Sequence, residues 1–173
     1  FENKGDDWEE KALGEVCEII MGQSPKGTSY NNEGIGSPLI NGPVEFGKKP
    51  FSKTKKTKFT TEPTKYCVEN DLILCVRGST TGRVNIAGFD ACIGRGVAAI
   101  RYSKNQFWVN YFILHSRNNI YNLGTGATFP NVSSKILKKI NIPIPPIKKQ
   151  KEIVKKLDTI SVQTKKLETI YTQ

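Results

Sequence analysis

The sequence predicts an α+β fold: a small twisted β-sheet with long loops and short helices, followed by one long C-terminal coiled-coil helix. Three observations predict it. The strings DLILCVRG, GRVNIAGF and GVAAIRY, rich in β-formers and set off by glycines, read as neighbouring strands. From Gly22 to about Lys65 the chain is crowded with Gly, Pro, Ser, Asn and Lys, a composition of long loops on a small scaffold. The last 27 residues, from Ile147, hold neither Gly nor Pro, and such a run is naturally helical. A chain of 173 residues has room for one domain with its own core and one extension. The boundary falls at the composition change after Pro146, giving a domain over 1–146 and a helix over 147–173.

Each element follows in order. After an acidic opening around Trp8, LGEVCEII alternates enough to form the first strand. The loop-rich segment is interrupted by short apolar pieces such as SPLINGPV, and loops of this length in a compact domain are usually functional or disordered. DLILCVRG is apolar without alternation, as expected of a strand buried on both faces. FWVNYFILHSR carries apolar residues at helical spacing, and NVSSKILKKI reads as a short helix capped by Ser133 or Ser134. The proline-broken strand INIPIPPI closes the domain. In the tail, Ile153, Leu157, Ile160, Thr164, Leu167 and Tyr171 recur at alternating steps of four and three, a heptad seam with one polar interruption. A 27-residue helix spans roughly 40 Å, more than a small domain covers, so much of the seam is expected to meet a second helix. That helix belongs either to another copy of this chain or to a different subunit. Folding back on its own domain is the alternative.

The formal net charge of +10, from 26 Lys and Arg against 16 Asp and Glu, favours a polyanionic partner. Nucleic acid is the first candidate and an anionic membrane the second. No run of 18 apolar residues occurs and the first twenty residues are acidic and mixed, so a soluble, cytoplasmic protein without membrane attachment is expected. Cys17, Cys67, Cys75 and Cys92 form no C-x-x-C and sit in short apolar stretches, which reads as reduced thiols in a core. His115, the single histidine, lies in a helix-like run and reads as a structural or surface residue rather than a ligand or a catalytic base.

Catalytic signatures are missing. GQSPKGT, residues 22–28, has the glycine spacing of a phosphate loop, but Thr28 stands where the lysine should be, and Lys26 is misplaced. GRG at 94–96 and GTGATF at 124–129 lack the third glycine of a dinucleotide fingerprint and read as turns. There is no H-E-x-x-H, no G-x-S-x-G, and no N-P-P-Y or D-P-P-Y of the kind that holds a flipped base. Carboxylates between Asp71 and Pro146 are too sparse for a two-metal site, with Asp90 alone among the strands. Catalysis by this chain is not expected.

WEEKALGEV near the start, GQSP at 22–25 and above all GATFPNVSSKILKKINIPIPPIKKQKEIVKKLD at 126–158 resemble specificity subunits of type I restriction-modification systems. The last string is similar to the junction where a target-recognition domain of that family passes through a proline-rich strand into a spacer helix. The resemblance covers nearly the whole chain and is weaker from Glu33 to Tyr66. It implies a non-catalytic subunit that selects double-stranded DNA for adenine methylation and restriction. Methyltransferase subunits would bind S-adenosylmethionine, a restriction motor subunit would consume ATP with Mg, and no cofactor or metal would bind here. Full-length family members carry two recognition domains and two spacer helices in pseudo-twofold arrangement, each domain reading one half of a bipartite site. This chain holds one of each and begins with Phe1, so it is expected to be a half-subunit or a trimmed fragment. Two copies joined antiparallel as a homodimer through the helices would make the site palindromic.

Loops rich in Lys, Asn, Ser and Thr supply phosphate contacts and base-edge hydrogen bonds. For phosphate contact the candidates are Lys48, Lys49, Lys53, Lys55 and Lys56, in a segment with seven lysines and a single acid, Glu62. For base reading they are Arg77, Ser79, Thr80 and Arg83 from VRGSTTGR, Arg95 from IGRG, and Thr125 and Thr128 from GTGATF, with Lys26, Tyr30 and Asn41 from the early loops. Three other readings stand beside this one: the recognition end of a fused restriction-methylation enzyme, a coiled-coil scaffold that binds no DNA, and an RNA binder, disfavoured because the aromatics form no stacking platform on one strand pair.

Overall fold

The computed structural model describes residue 1, residues 5–126 and residues 128–171; the side chains of residues 165 and 168–171 lie outside the described set. In chain order the elements are β1 (Glu9–Ala12), α1 (Leu13–Val16), β2 (Glu18–Met21), β3 (Tyr30–Asn31), β4 (Ser37–Ile40), β5 (Phe59–Thr60), β6 (Tyr66–Cys67), β7 (Leu72–Cys75), β8 (Val84–Ile86), β9 (Ala91–Ile93) and β10 (Val97–Arg101). The helices α2 (Gln106–His115), α3 (Arg117–Leu123) and α4 (Ser134–Lys138) follow, then β11 (Asn141–Ile144) and α5 (Ile147–Tyr171).

The strands form three sheets where one was expected. A four-stranded sheet has the order β2-β10-β7-β8, a five-stranded one β3-β5-β4-β9-β6, and β1 pairs with β11. The four-stranded sheet is the middle layer. Leu72, Leu74, Ala98 and Ile100 point into a core shared with Trp108, Val109, Ile113, Ile120 and Leu137 of the helices. The alternate residues Ile73, Cys75, Val97 and Ala99 pack into a second core with Ile40, Cys67, Ala91 and Ile93 of the five-stranded sheet. Both faces of β7 are therefore dry, which is why DLILCV lacks the alternation of a half-exposed strand. The apolar strings Phe59–Thr60 and Ala91–Ile93 are too short to register as a second sheet in the sequence, and they form it by pairing with β4.

Two local expectations need correction. Leu13–Val16 is a helical turn, and the strand begins only at Glu18. Tertiary packing decides this: Leu13 is fully buried, its N–H donates to the Ile140 carbonyl at 2.8 Å, and the turn packs on α4. The helical run after Asn105 also breaks in two at Ser116, so that α3 is a separate element. By contrast α4 is capped as read, the Ser133 hydroxyl accepting from the Ile136 N–H at 3.3 Å.

The four cysteines are free and buried. Desolvation pushes the thiols of Cys17 and Cys67 up to about 12 and that of Cys75 up to about 11. Among the described residues no helix is long and apolar enough to cross a membrane.

The start of α5 is tied to the domain. Gln150 Nε2 donates to the Pro145 carbonyl at 2.9 Å, Val154 is buried, and the Tyr111 hydroxyl donates to Asp158 at 2.6 Å. Ile153 and Leu157 line an apolar groove with Trp8, Trp108 and Tyr111, so the first half of the seam faces its own domain. Beyond Asp158 the seam is open: Ile160 is 57% exposed, Leu167 is 55% exposed and Thr164 is exposed with them. Tyr171 closes the helix, and its side chain lies outside the described residues.

Candidate nucleic-acid interface

Strand register collects several glycine turns at one end of the two larger sheets. Met21 pairs with Ala98 and Cys75 with Val97, so the exits of β2 and β7 meet the entrance of β10. In the other sheet β4 runs parallel to β9 with Ile40 opposite Ile93, and their exits also lie side by side. The turn Gly94–Gly96 crosses from one sheet to the other at that rim. Its hydrogen bonds record the convergence: the Gly94 N–H donates to Ile40 O (2.9 Å), the Val76 N–H to Gly96 O (2.9 Å) and the Arg95 N–H to Ser24 Oγ (3.2 Å). A Cβ on Gly22 would overlap the Gly94 carbonyl, and one on Gly94 would overlap the Asn41 amide. The rim therefore brings Asn41, Arg77 and Arg95 to one place, with Arg83 entering β8 beside them.

The loop between β7 and β8 is shaped by two glycines with left-handed backbone, Gly78 (φ 84°) and Gly82 (φ 89°). The Thr81 hydroxyl donates to Gly78 O at 2.8 Å, and the Gly78 N–H donates to Pro130 O at 3.3 Å, which docks the loop on residues 124–131. There Thr125 exchanges two backbone hydrogen bonds with Asn131, and Arg77 bridges to the same Asn131. Thr128 is exposed on that loop, next to Ala127, which lies outside the described residues.

An open concavity of about 390 Å³ lies beside the loop, walled by Lys48, Ser79, Thr80 and Arg83 on one side and by Arg117, Asn118 and Tyr121 of α3 on the other. The Arg83 guanidinium sits 5.8 Å over the Phe46 ring and donates to Gly47 O at 3.3 Å. Gly82 presses this wall against α3, where its Cβ would come within 2.9 Å of the Arg117 carbonyl oxygen.

The lysine segment does not stay together. Lys48 joins the concavity, and the Lys49 carbonyl accepts from Asn85 Nδ2 at 3.2 Å nearby. Lys53 bridges to Ile86 at the far end of β8 and pairs with Glu69 at 2.7 Å, while Lys56 lies 5.0 Å over the Phe89 ring. Lys55 is exposed, and its N–H donates to Glu45 O. Lys26, paired with Glu62 at 3.7 Å, precedes β3 at the outer edge of the five-stranded sheet, and Tyr30 on that strand donates to Pro25 O under Lys58.

With this geometry in view, the comparison with known proteins is direct: residues 5–172 match the family model of the type I restriction modification DNA specificity domain. The chain belongs to this family. It is similar to the MjaX type I restriction enzyme specificity subunit of Methanocaldococcus jannaschii, 40% identical over 95% of this chain and 40% of that protein. Among solved structures it resembles the HsdS subunit of Thermoanaerobacter tengcongensis, with a TM-score of 0.84 and 33% identity over 97% of this chain and 40% of the other. A chain from a structure on complex assembly of the type I R-M system gives a TM-score of 0.86 and 34% identity over 97% and 42%. The specificity domain described here thus spans about two fifths of the length of these relatives.

Sequence reasoning about this specificity domain missed α3. Arg117 falls at the end of the helical run FWVNYFILHSR, and Asn118 and Tyr121 lie beyond it, where RNN interrupts the apolar spacing and gives no sign of a further helix. Among the described residues no three His, Cys, Asp or Glu side chains are grouped as metal ligands.

Proposed function

We propose that this specificity domain reads one half of a bipartite sequence in double-stranded DNA and makes no bond-changing step of its own. The observation that supports the reading is the rim to which Asn41, Arg77 and Arg95 come from three separate loops, with Arg83, Ser79 and Thr80 on the loop of Arg77 and Thr125 and Thr128 on the loop docked against it. Arginines on glycine-hinged turns offer the bidentate donors that guanine O6 and N7 accept, each worth about 1–3 kcal/mol of discrimination. Lys48 and Lys49 flank the rim as phosphate contacts; Lys26, Tyr30, Lys53, Lys55 and Lys56 extend the positive surface outward and carry less of the sequence reading.

Residues 1–146 act as the recognition domain and 147–173 as the spacer helix. The open half of α5, through Ile160, Thr164 and Leu167 and on to Tyr171, packs as a coiled coil against a second helix. In a homodimer that helix is another α5; in a longer subunit it is the spacer of the other half. The seven lysines and three acids of residues 147–173 disfavour two such tails side by side and favour a methyltransferase subunit with acidic helices. The domain works in the cytoplasm, within a complex whose methyltransferase subunits hold S-adenosylmethionine and whose restriction subunit uses ATP and Mg.

The test is to reconstitute the chain with its methyltransferase subunit and S-adenosylmethionine, then map N6-methyladenine across genomic DNA. Methylation at a defined motif that depends on this chain is the expected result. Methylation that ignores the chain despite a stable complex would leave only the scaffold role.

A further inference from the structure

We propose that the concavity between the β7–β8 loop and α3 is the seat of one backbone phosphate of duplex DNA, gripped from two sides by Arg83 and Arg117. The proposal rests on the DNA-reading function above and adds to it the positioning contact that fixes register. It also reassigns Arg83 from base reading to backbone contact.

Charge is the first argument. The walls carry three cations, Lys48, Arg83 and Arg117, and no carboxylate. Among the described residues none of the three is in an ion pair, whereas Lys11, Lys26, Lys53 and Arg101 all are. A cluster of unneutralised cations on a folded surface repels itself, and an anion removes that repulsion.

Donor chemistry is the second argument. Base edges present donors and acceptors in mixed patterns, while a phosphate presents acceptors only. Among the polar groups of the lining the three cations present donors only and the Ser79 hydroxyl can donate, which matches the phosphate, while Pro50, Val84 and Leu114 supply its apolar part. Asn118 adds an amide donor on the α3 side.

Rigidity is the third. Arg83 is steadied by Phe46 and Gly47, and the contact of Gly82 with the Arg117 backbone sets the separation of the two walls. A fixed phosphate seat beside the rim would set where Arg77 and Arg95 fall along the groove, because phosphate contacts position and base contacts specify.

The experiment measures binding of the full chain to fluorescent duplexes of several unrelated sequences, by anisotropy, from 50 to 200 mM salt (roughly the range over which counterion release is read). Arg117→Ala, Arg117→Lys and Arg95→Ala are compared with the unaltered chain. The phosphate seat predicts that Arg117→Ala weakens binding to every duplex by a similar factor, about tenfold for a lost charge-assisted bond. It also predicts a slope of log affinity against log salt lower by about 1, with the slope restored by Arg117→Lys. Arg95→Ala should instead weaken binding most on the duplex that the unaltered chain prefers. Unchanged affinity and slope for Arg117→Ala, on duplexes the unaltered chain binds, overturns the phosphate seat and leaves DNA reading standing. Loss confined to one duplex makes Arg117 a base reader and also overturns it. No binding of the unaltered chain to any duplex overturns DNA reading, and the seat with it.

Discussion

Replacing Gly82 by alanine isolates the contact that sets the two walls of the concavity. Gly82 has φ 89°, a conformation that costs an L-residue about 1–2 kcal/mol. In addition its new Cβ would lie 2.9 Å from the Arg117 carbonyl oxygen, closer than real Cβ contacts come, so loop and helix must part. Overpacking of that kind adds about 1 kcal/mol at the low end of its range, which brings the expected loss to about 2–3 kcal/mol. Two other glycines separate these terms. Gly78 has φ 84° with open space around its Cβ position, so Gly78→Ala should lose only the conformational part, about 1–2 kcal/mol. Gly27 has neither a left-handed φ nor a neighbour within 4 Å, and Gly27→Ala should be neutral or gain about 0.4–1 kcal/mol from a less flexible unfolded chain. Urea unfolding of the three variants reads the differences directly, and a melting shift of about 2–4 °C per kcal/mol accompanies them. If Gly82→Ala and Gly78→Ala unfold at the same midpoint, the contact with Arg117 does not bear on the loop. If both match Gly27→Ala, the left-handed turns themselves are misread.

Ile160→Asp with Leu167→Asp should leave monomer stability within about 0.5 kcal/mol, because both side chains are more than half exposed, yet abolish assembly through α5; sedimentation with and without the partner subunit checks this. Asp71 is 2% exposed and accepts from Arg101 Nε and Nη2, both at 2.8 Å, so Asp71→Asn should cost about 3 kcal/mol in urea unfolding, the low end for a broken buried pair because Arg101 keeps Glu18 and is partly open. The thiols of Cys17, Cys67 and Cys75 are raised in the folded state above an ordinary value near 9, so the unfolded chain loses these protons first. Stability should therefore hold up to about pH 9 and fall above it, each thiol contributing up to about 1.4 kcal/mol per pH unit until its folded value is passed. Urea midpoints at pH 8 and 10.5, for the chain and for Cys75→Ala, measure the slope and the share of one thiol.

The legible parts of the fold were those where one physical signal dominates. The double burial of β7 wrote itself into DLILCV, the cap of α4 into Ser133, and the long helix into a run free of Gly and Pro. The second sheet stayed hidden because β3, β5, β6 and β9 have two or three residues each, too few to show a period, and exist only through their partners. LGEV read as strand because its pattern is ambiguous at that length; burial of Leu13 under Ile140 resolved it in favour of a helical turn. For the candidate site, glycine turns with arginines were visible, but their meeting point was not. Arg77 and Arg95 are brought together by antiparallel pairing of β7 with β10, and Asn41 joins them by parallel pairing of β4 with β9, both long-range events that no local spacing encodes. Lys53 and Lys56 show the reverse case, adjacent in sequence to Lys48 and Lys49 yet carried along β8 to its other end.

The path from the rim to α5 also bears on the proposed role of the domain in a larger complex. α3, which walls the concavity, follows α2 after one residue, and α2 is locked to β11 by the bond from Trp108 Nε1 to the Pro143 carbonyl at 2.9 Å. α5 in turn rests on α2 through Val154 and the Tyr111–Asp158 bond. The wall of the concavity and the root of α5 thus sit on the same packed pair of helices, α2 and α3. A partner gripping the open half of α5, as proposed above, would therefore inherit the orientation of the rim. Under the proposed function this split of the heptad seam has a use: Ile153 and Leu157 fix the helix to its own domain, so that Ile160 and Leu167 would meet a partner helix at a defined angle. A seam given wholly to the partner would hold the helix tightly while leaving the recognition domain free to swing, and the spacing between two half-sites would then go unmeasured.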